Sequence, residues 1–221
     1  MNKSSRLIIA ITLGSLALMG CKSASHDGDT TTTETTVPGL EQSVVWPAAD
    51  VVFKTPEEAA TDFVRNALHV KPHIGEFQAG DSLSGEIDVY SPESELVRGT
   101  LLLRKLGPNM SWFVTAAVSD FNVIVEPAHQ AMVPQGTVTV AGRGRGFEAQ
   151  LHLTAIDPAN GGAVLDEQFP MGGSADDALP FTSDINLSNV KSGSTVTIIL
   201  QGGVGLEDDP GDFCAIVVTI G

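Results

Sequence analysis

Residues 137–154 read TVTVAGRGRGFEAQLHLT. Thr137-Val138-Thr139-Val140 at one end and Gln150-Leu151-His152-Leu153-Thr154 at the other alternate polar and apolar side chains. Successive side chains of an extended chain point to opposite faces, so this period describes strands buried on one face. Around these two runs, placed at 137–143 and 147–156, others follow near 122–126, 163–169, 181–187, 194–201 and 213–220. Asn160-Gly161-Gly162 and Lys191-Ser192-Gly193 carry turn chemistry between them. About seven short strands in roughly a hundred residues, with no helical period, predict an antiparallel sandwich over 121–221.

The glycines from Gly142 to Gly146 match neither the dinucleotide fingerprint nor a phosphate loop, because no helix start or Lys-Ser/Thr pair follows. They predict a strand edge with a bulge, Arg143 and Arg145 pointing outward.

Ile124-Val125-Glu126-Pro127, the segment Val138 to Glu148 with its G-x-G-x-G-F-E pattern, Gly162-Ala163-Val164-Leu165-Asp166-Glu167 and Phe181 at a strand start together resemble the Gmad2 family. This is the immunoglobulin-like domain named from bacterial spore-germination proteins. The resemblance covers about residues 122–220. It implies an immunoglobulin-like sandwich in a lipid-anchored or exported bacterial protein, often beside a second small domain. It carries over no catalytic residue and no ligand site.

Residues 46–120 read differently. Thr55-Pro56-Glu57-Glu58 combines an N-cap, a proline at the first helical position and a capping box. Ala59, Ala60, Phe63, Val64, Ala67 and Leu68 then recur at helical spacing to about His69, and Pro72 stops continuation. Short β-like runs follow at 84–90, 99–105 and 112–119. The expectation is an α+β N-terminal domain, one helix on a small antiparallel sheet, over 46–120.

Lys3 and Arg6 precede an apolar run of 13 residues, Leu7 to Met19, and Gly20 precedes Cys21. The run is too short to span a bilayer as a helix and fits a secretory leader over residues 1–20. Leu18-Met19-Gly20-Cys21 resembles the bacterial lipobox, with Met at the second position a departure. That resemblance implies diacylglycerol on the Cys21 thiol and usually an acyl chain on the new amino terminus. Two or three buried chains suffice for stable anchoring. Residues 21–45 have little apolar content and a run of threonines, which predicts a disordered tether.

Loss of Lys3 and Arg6 with the leader takes the formal charge from −15 to −17. An excess of 27 acidic over 12 basic residues argues against nucleic acid, whose backbone needs a positive footprint. Attachment to the membrane therefore falls to the lipid. With Cys21 assigned to lipid, Cys214 has no disulfide partner, and it lies in the continuous apolar run Phe213-Cys214-Ala215-Ile216-Val217-Val218, which predicts a buried, unreactive thiol.

Two sets of residues are candidates for chemistry. Glu207, Asp208, Asp209 and Asp212 gather hard oxygen ligands at a turn and form a candidate calcium site, with Asp176 and Asp177 as additional ligands if the loops meet. Trp46, Tyr90 and Trp112 are candidate partner-binding aromatics. The five histidines are scattered, and Pro72 breaks the helical register between His69 and His73, so no zinc site is expected. No G-x-S-x-G elbow occurs. No catalytic residue is assigned.

The sequence thus points to a non-catalytic binding or scaffold lipoprotein of the cell envelope. It would sit at the outer face of the cytoplasmic membrane, or at the outer membrane of a Gram-negative cell, facing an envelope protein or wall polymer. A spacer or assembly factor in envelope remodelling or germination is the alternative, and a hydrolase without a recognisable motif stands third. Cys21→Ser should abolish labelling by a clickable fatty acid and release the chain from membranes; labelling that persists would refute the lipid assignment.

Overall fold

In the computed structural model, which describes residues 43–174 and 177–221, the first regular element is the helix α1, Pro56–Asn66. The Thr55 hydroxyl accepts from the Glu58 N–H at 3.2 Å, and a Glu58 carboxylate oxygen accepts from the Thr55 and Lys54 N–H groups. The capping box is therefore complete, an arrangement that contributes about 1 kcal/mol. The helix ends three residues before His69. Ala67 forms the C-cap, and His69 takes a left-handed φ of 57° that no helix continues. Ala67 and Leu68 remain buried.

The strands that follow are β1 (Gln78–Ala79), β2 (Ser84–Tyr90), β3 (Val97–Leu106), β4 (Ser111–Val118), β5 (Val123–Glu126) and β6 (Met132–Val133). Then come β7 (Thr137–Gly144), β8 (His152–Asp157), β9 (Ala163–Gln168), β10 (Leu179–Asn186), β11 (Thr195–Gly202) and β12 (Asp212–Ile220). The described chain is mostly β, with this one α-helix and antiparallel sheets; the short β6 pairs parallel with β12. No helix among the described residues is long and apolar enough to cross a membrane. The signal segment, Cys21, most of the expected tether and Asp176 lie outside the described residues.

The strand order of the larger sheet is β1-β2-β3-β4-β12-β11-β8-β9, and that of the smaller is β10-β7-β5. The larger sheet crosses residue 120, where two domains were expected to meet: Ala117 of β4 pairs with Ala215 of β12. Burial follows the same continuity. On one face α1 delivers Ala60, Phe63 and Val64 to a core that also holds Ile87, Leu101 and Val114, and equally Ile156, Ile199, Phe213, Ala215 and Val217. On the other, Val140, Phe181 and Ile185 of the smaller sheet meet Leu153, Ile198, Leu200, Cys214, Ile216 and Val218. Residues 46–120 thus own no separate core. The division at 120/121 is corrected, because β12, a strand late in the chain, lies beside β4 and adds Phe213, Ala215 and Val217 to the core under the helix.

β12 explains its own composition. Phe213, Ala215 and Val217 enter one core while Cys214, Ile216 and Val218 enter the other, so both faces are apolar and the run is continuous. β7, covered on one face, alternates exposed and buried residues through Thr137, Val138, Thr139 and Val140. Burial of Cys214 pushes its thiol up to about 12, which keeps it protonated and inert. The Trp46 segment adds a further tie: its backbone bridges Val114, and the buried Thr197 hydroxyl donates to the Val45 carbonyl at 2.6 Å.

The glycine-rich segment is not bulged. The irregularity lies across from it, in β5 between Ile124 and Glu126, where Val125 is the extra residue. Gly142 is required there, since a Cβ would strike the Val123 carbonyl. The expected strand start at 147 is a 3₁₀ turn, Phe147–Ala149, and β8 begins only at His152.

Because both cores share β12, unfolding should be a single cooperative transition. Phe213→Ala should cost about 3–5 kcal/mol by urea denaturation, with fluorescence from the Trp46 and Trp112 region and amide circular dichroism moving together. Two separated transitions would contradict the shared core.

Candidate functional site

The turn between β4 and β5, residues 119–122, lies where the two halves of the chain meet. Ser119 accepts through its hydroxyl from the Phe121 and Asn122 N–H groups, which fixes a local turn. The buried Asn122 then works in both directions: its amide N–H₂ donates to the Asp212 carbonyl at 2.7 Å, and its carbonyl accepts from the Arg145 N–H at 2.7 Å. One side chain thus ties β12 to the end of the glycine-rich segment.

Two ion pairs surround this junction. Arg145 donates from Nε to Asp212 at 2.7 Å, and its guanidinium carbon lies 3.1 Å from the centroid of the Phe121 ring. Arg98, from the start of β3, grips Asp209 with two parallel bonds, Nε at 3.0 Å and Nη2 at 2.8 Å. The Asp209 side chain is fully buried and also accepts from the Ser91 hydroxyl at 2.6 Å and the Gly211 N–H at 2.9 Å. Burial pushes the Asp209 carboxyl up. The hydrogen bonds from Arg98, Ser91 and Gly211, with the Arg98 charge, outweigh that and hold it below its ordinary 3.8.

This arrangement divides the acidic loop that was the candidate calcium site. Asp209 and Asp212 turn inward to separate arginines, whereas Glu207 and Asp208 stay exposed, Asp208 accepting only a long bond from the Lys71 N–H. The four carboxylates share no common point, and two already have their charge compensated. Arg143 does point outward and donates to the Asp120 carbonyl, but Arg145 turns in. Asp212 draws it, because a buried carboxylate is stable only when paired.

Of the expected partner-binding aromatics, the two tryptophans are buried. Trp46 is 3% exposed and donates its indole N–H to Asp62 at 2.8 Å; Trp112 is 5% exposed, edge-on to Phe77. Both face the core because the Trp46 segment pairs with β4 and the helix closes over it. Tyr90 is half-buried beside His73.

A cleft of about 370 Å³ opens at the junction, lined by Arg98, Arg145, Gly146, Phe147, Gly203 and Asp212 among others. A second hollow of about 200 Å³, reaching Val97, Val118 and Phe121, shares Arg98 and Asp212 with it. Gly202 underlies the cleft and must be glycine, since a Cβ would run into the Arg145 carbonyl. Phe147, at the rim, is 59% exposed. Glu148 and Ala149 hold φ values of 54° and 62°, a left-handed pair outside glycine that costs about 1–2 kcal/mol per residue. Four backbone bonds fix the strained turn: Phe147 N–H to Gly203 at 2.7 Å, Ala149 N–H to Gly146 at 3.1 Å, Gln150 N–H to Phe147 at 3.1 Å, and Gly172 N–H to Ala149 at 2.8 Å. A larger groove beside α1 is lined by groups already committed, Glu58 to the capping box and Asp62 to Trp46 and Asn66.

None of Arg98, Ser91, Asn122, Phe121 or Phe147 was singled out from sequence. The partners are 111 residues apart for Arg98 with Asp209 and 67 for Arg145 with Asp212, so no local pattern links them. The one available signal was Phe147, a large apolar residue following alternating glycines. Comparison with known proteins finds no matching family model, curated protein or solved structure.

Arg98→Ala leaves Asp209 buried without its cation and should cost about 3 kcal/mol near neutral pH. Asp209 has a depressed folded pKa, so its stabilising contribution is present above the unfolded value and lost as pH falls through the folded one. The deficit of the variant, followed by urea melts, should therefore shrink below about pH 4; a deficit that stays constant into acid would place the loss elsewhere.

Proposed function

We propose that this chain is a non-catalytic binding protein of the bacterial cell envelope, exported, anchored through lipid on Cys21, and engaging its partner at the cleft beside Phe147. The observation that carries this reading is a coincidence of place. The G-x-G-x-G-F-E segment behind the Gmad2 resemblance also forms the cleft wall and lifts an aromatic ring into solvent on a strained turn. Strain in such a turn is retained where the exposed side chain is used.

Two facing sheets of short antiparallel strands over a common core support the immunoglobulin-like assignment for residues 121–221. In this proposal α1 and β1–β4 brace the module through their shared sheet. The rim adds apolar surface of the kind that marks interaction sites: Leu206 is half-exposed, next to Gly205, which lies against the Phe147 ring. The partner is an envelope protein or a wall polymer.

A photo-crosslinking residue at position 147 of the full-length chain should capture a discrete species in envelope membranes. The same residue at Met110, exposed at the far end of β3 from Arg98, should capture none. Cys21→Ser should remove the adduct by releasing the chain. A clean blank at 147 would favour a spacer over a binder.

A further inference from the structure

Resting on the cleft reading above, the geometry points to a ligand class for it: a single carboxylate carried on an apolar group, the carboxylate held by Arg145 and Arg98 and the apolar group by Phe147. Arg145 spends only its Nε on Asp212, and neither of its Nη groups has a hydrogen-bond partner among the described residues. Arg98 spends Nε and Nη2 on Asp209, and its Nη1 is likewise without a partner among them. Both arginines line the cleft, and a ligand seated there is the natural partner for the donors that the protein leaves unspent.

The surroundings set the ligand's charge and body. Asp209 and Asp212 compensate the two guanidiniums, and Glu148 stands at the lining, so the site does not hold the excess positive charge a polyanion requires. A monoanion gains charge-assisted hydrogen bonds from the unspent N–H groups without needing that excess. Next to them Phe147 offers an exposed ring, and the volume of about 370 Å³ falls at the lower end of small-molecule sites, roughly 300–1,000 Å³. The Arg145 guanidinium is fixed in place by Phe121 beneath it and Asp212 beside it, so little side-chain freedom is lost when it accepts a partner.

Two sources supply this chemistry, the C-terminus of a polypeptide ending in an apolar residue and the carboxylate of a fatty acid. Calorimetric titration of the full-length chain with N-acetyl-Gly-Gly-Phe as free acid, the same peptide as its amide, and octanoate separates them. The free acid or octanoate should bind at least tenfold more tightly than the amide. The peptide acid alone assigns a polypeptide terminus, octanoate alone assigns a lipid, and either supports the carboxylate. Arg145→Lys keeps the charge but not the fork and should weaken the acid about tenfold while leaving the amide unchanged. Phe147→Ala, a change at an exposed position, should weaken every ligand several-fold with no change in melting temperature. Equal binding of acid and amide, no binding of either acid, or indifference to both substitutions would overturn the inference. If neither acid binds while the crosslink at 147 persists, the carboxylate assignment falls and the binding module stands.

Discussion

β12 is the constraint on which the rest of the structure depends. A strand that lies between two cores must be apolar on both faces, and Phe213 to Val218 meet that requirement with no polar residue. Among the described residues, the sheet containing this strand is the floor of the helix and the wall of the smaller sheet. Covering opposite faces of one strand is what allows two halves of different composition to become one cooperative unit.

Joining the halves through one sheet creates a seam, and the seam has polar backbone to satisfy. Asn122 meets part of that need by bridging β12 to the glycine-rich segment. The ion pairs Arg145–Asp212 and Arg98–Asp209 complete it, each carboxylate being shielded from water and matched to a guanidinium. Such pairs are not strong sources of net stability, because desolvation offsets most of the attraction. They specify position instead: Arg98 fixes the acidic loop against β3, and Arg145 fixes the end of the glycine segment against β12. The cleft is the space left between these two clamps.

Legibility from sequence varied with the range of the interaction involved. The capping box at Thr55 and Glu58, the helix face from Ala59 to Leu68 and the alternation at Thr137 to Val140 rest on contacts within a few residues, so their patterns are printed locally. Trp46 and Trp112 are buried although nothing near them in the sequence indicates the strand pairing that covers them. The acidic loop depends on distant residues in the same way. Its composition states four carboxylates, but whether they gather on a cation or turn to separate arginines depends on residues more than sixty positions away.

By itself, the sequence determined the capped helix, most of the longer strands and the apolar character of the final strand, all of which depend on short-range periodicity or contiguous residue types. Only the tertiary structure decided that the halves share one sheet, that Asp209 and Asp212 are structural anions, and that Phe147 rather than a tryptophan faces solvent. The physical reason is that pairing of β4 with β12 fixes which faces are covered, and coverage, not composition, decides whether an aromatic ring or a carboxylate meets water or protein.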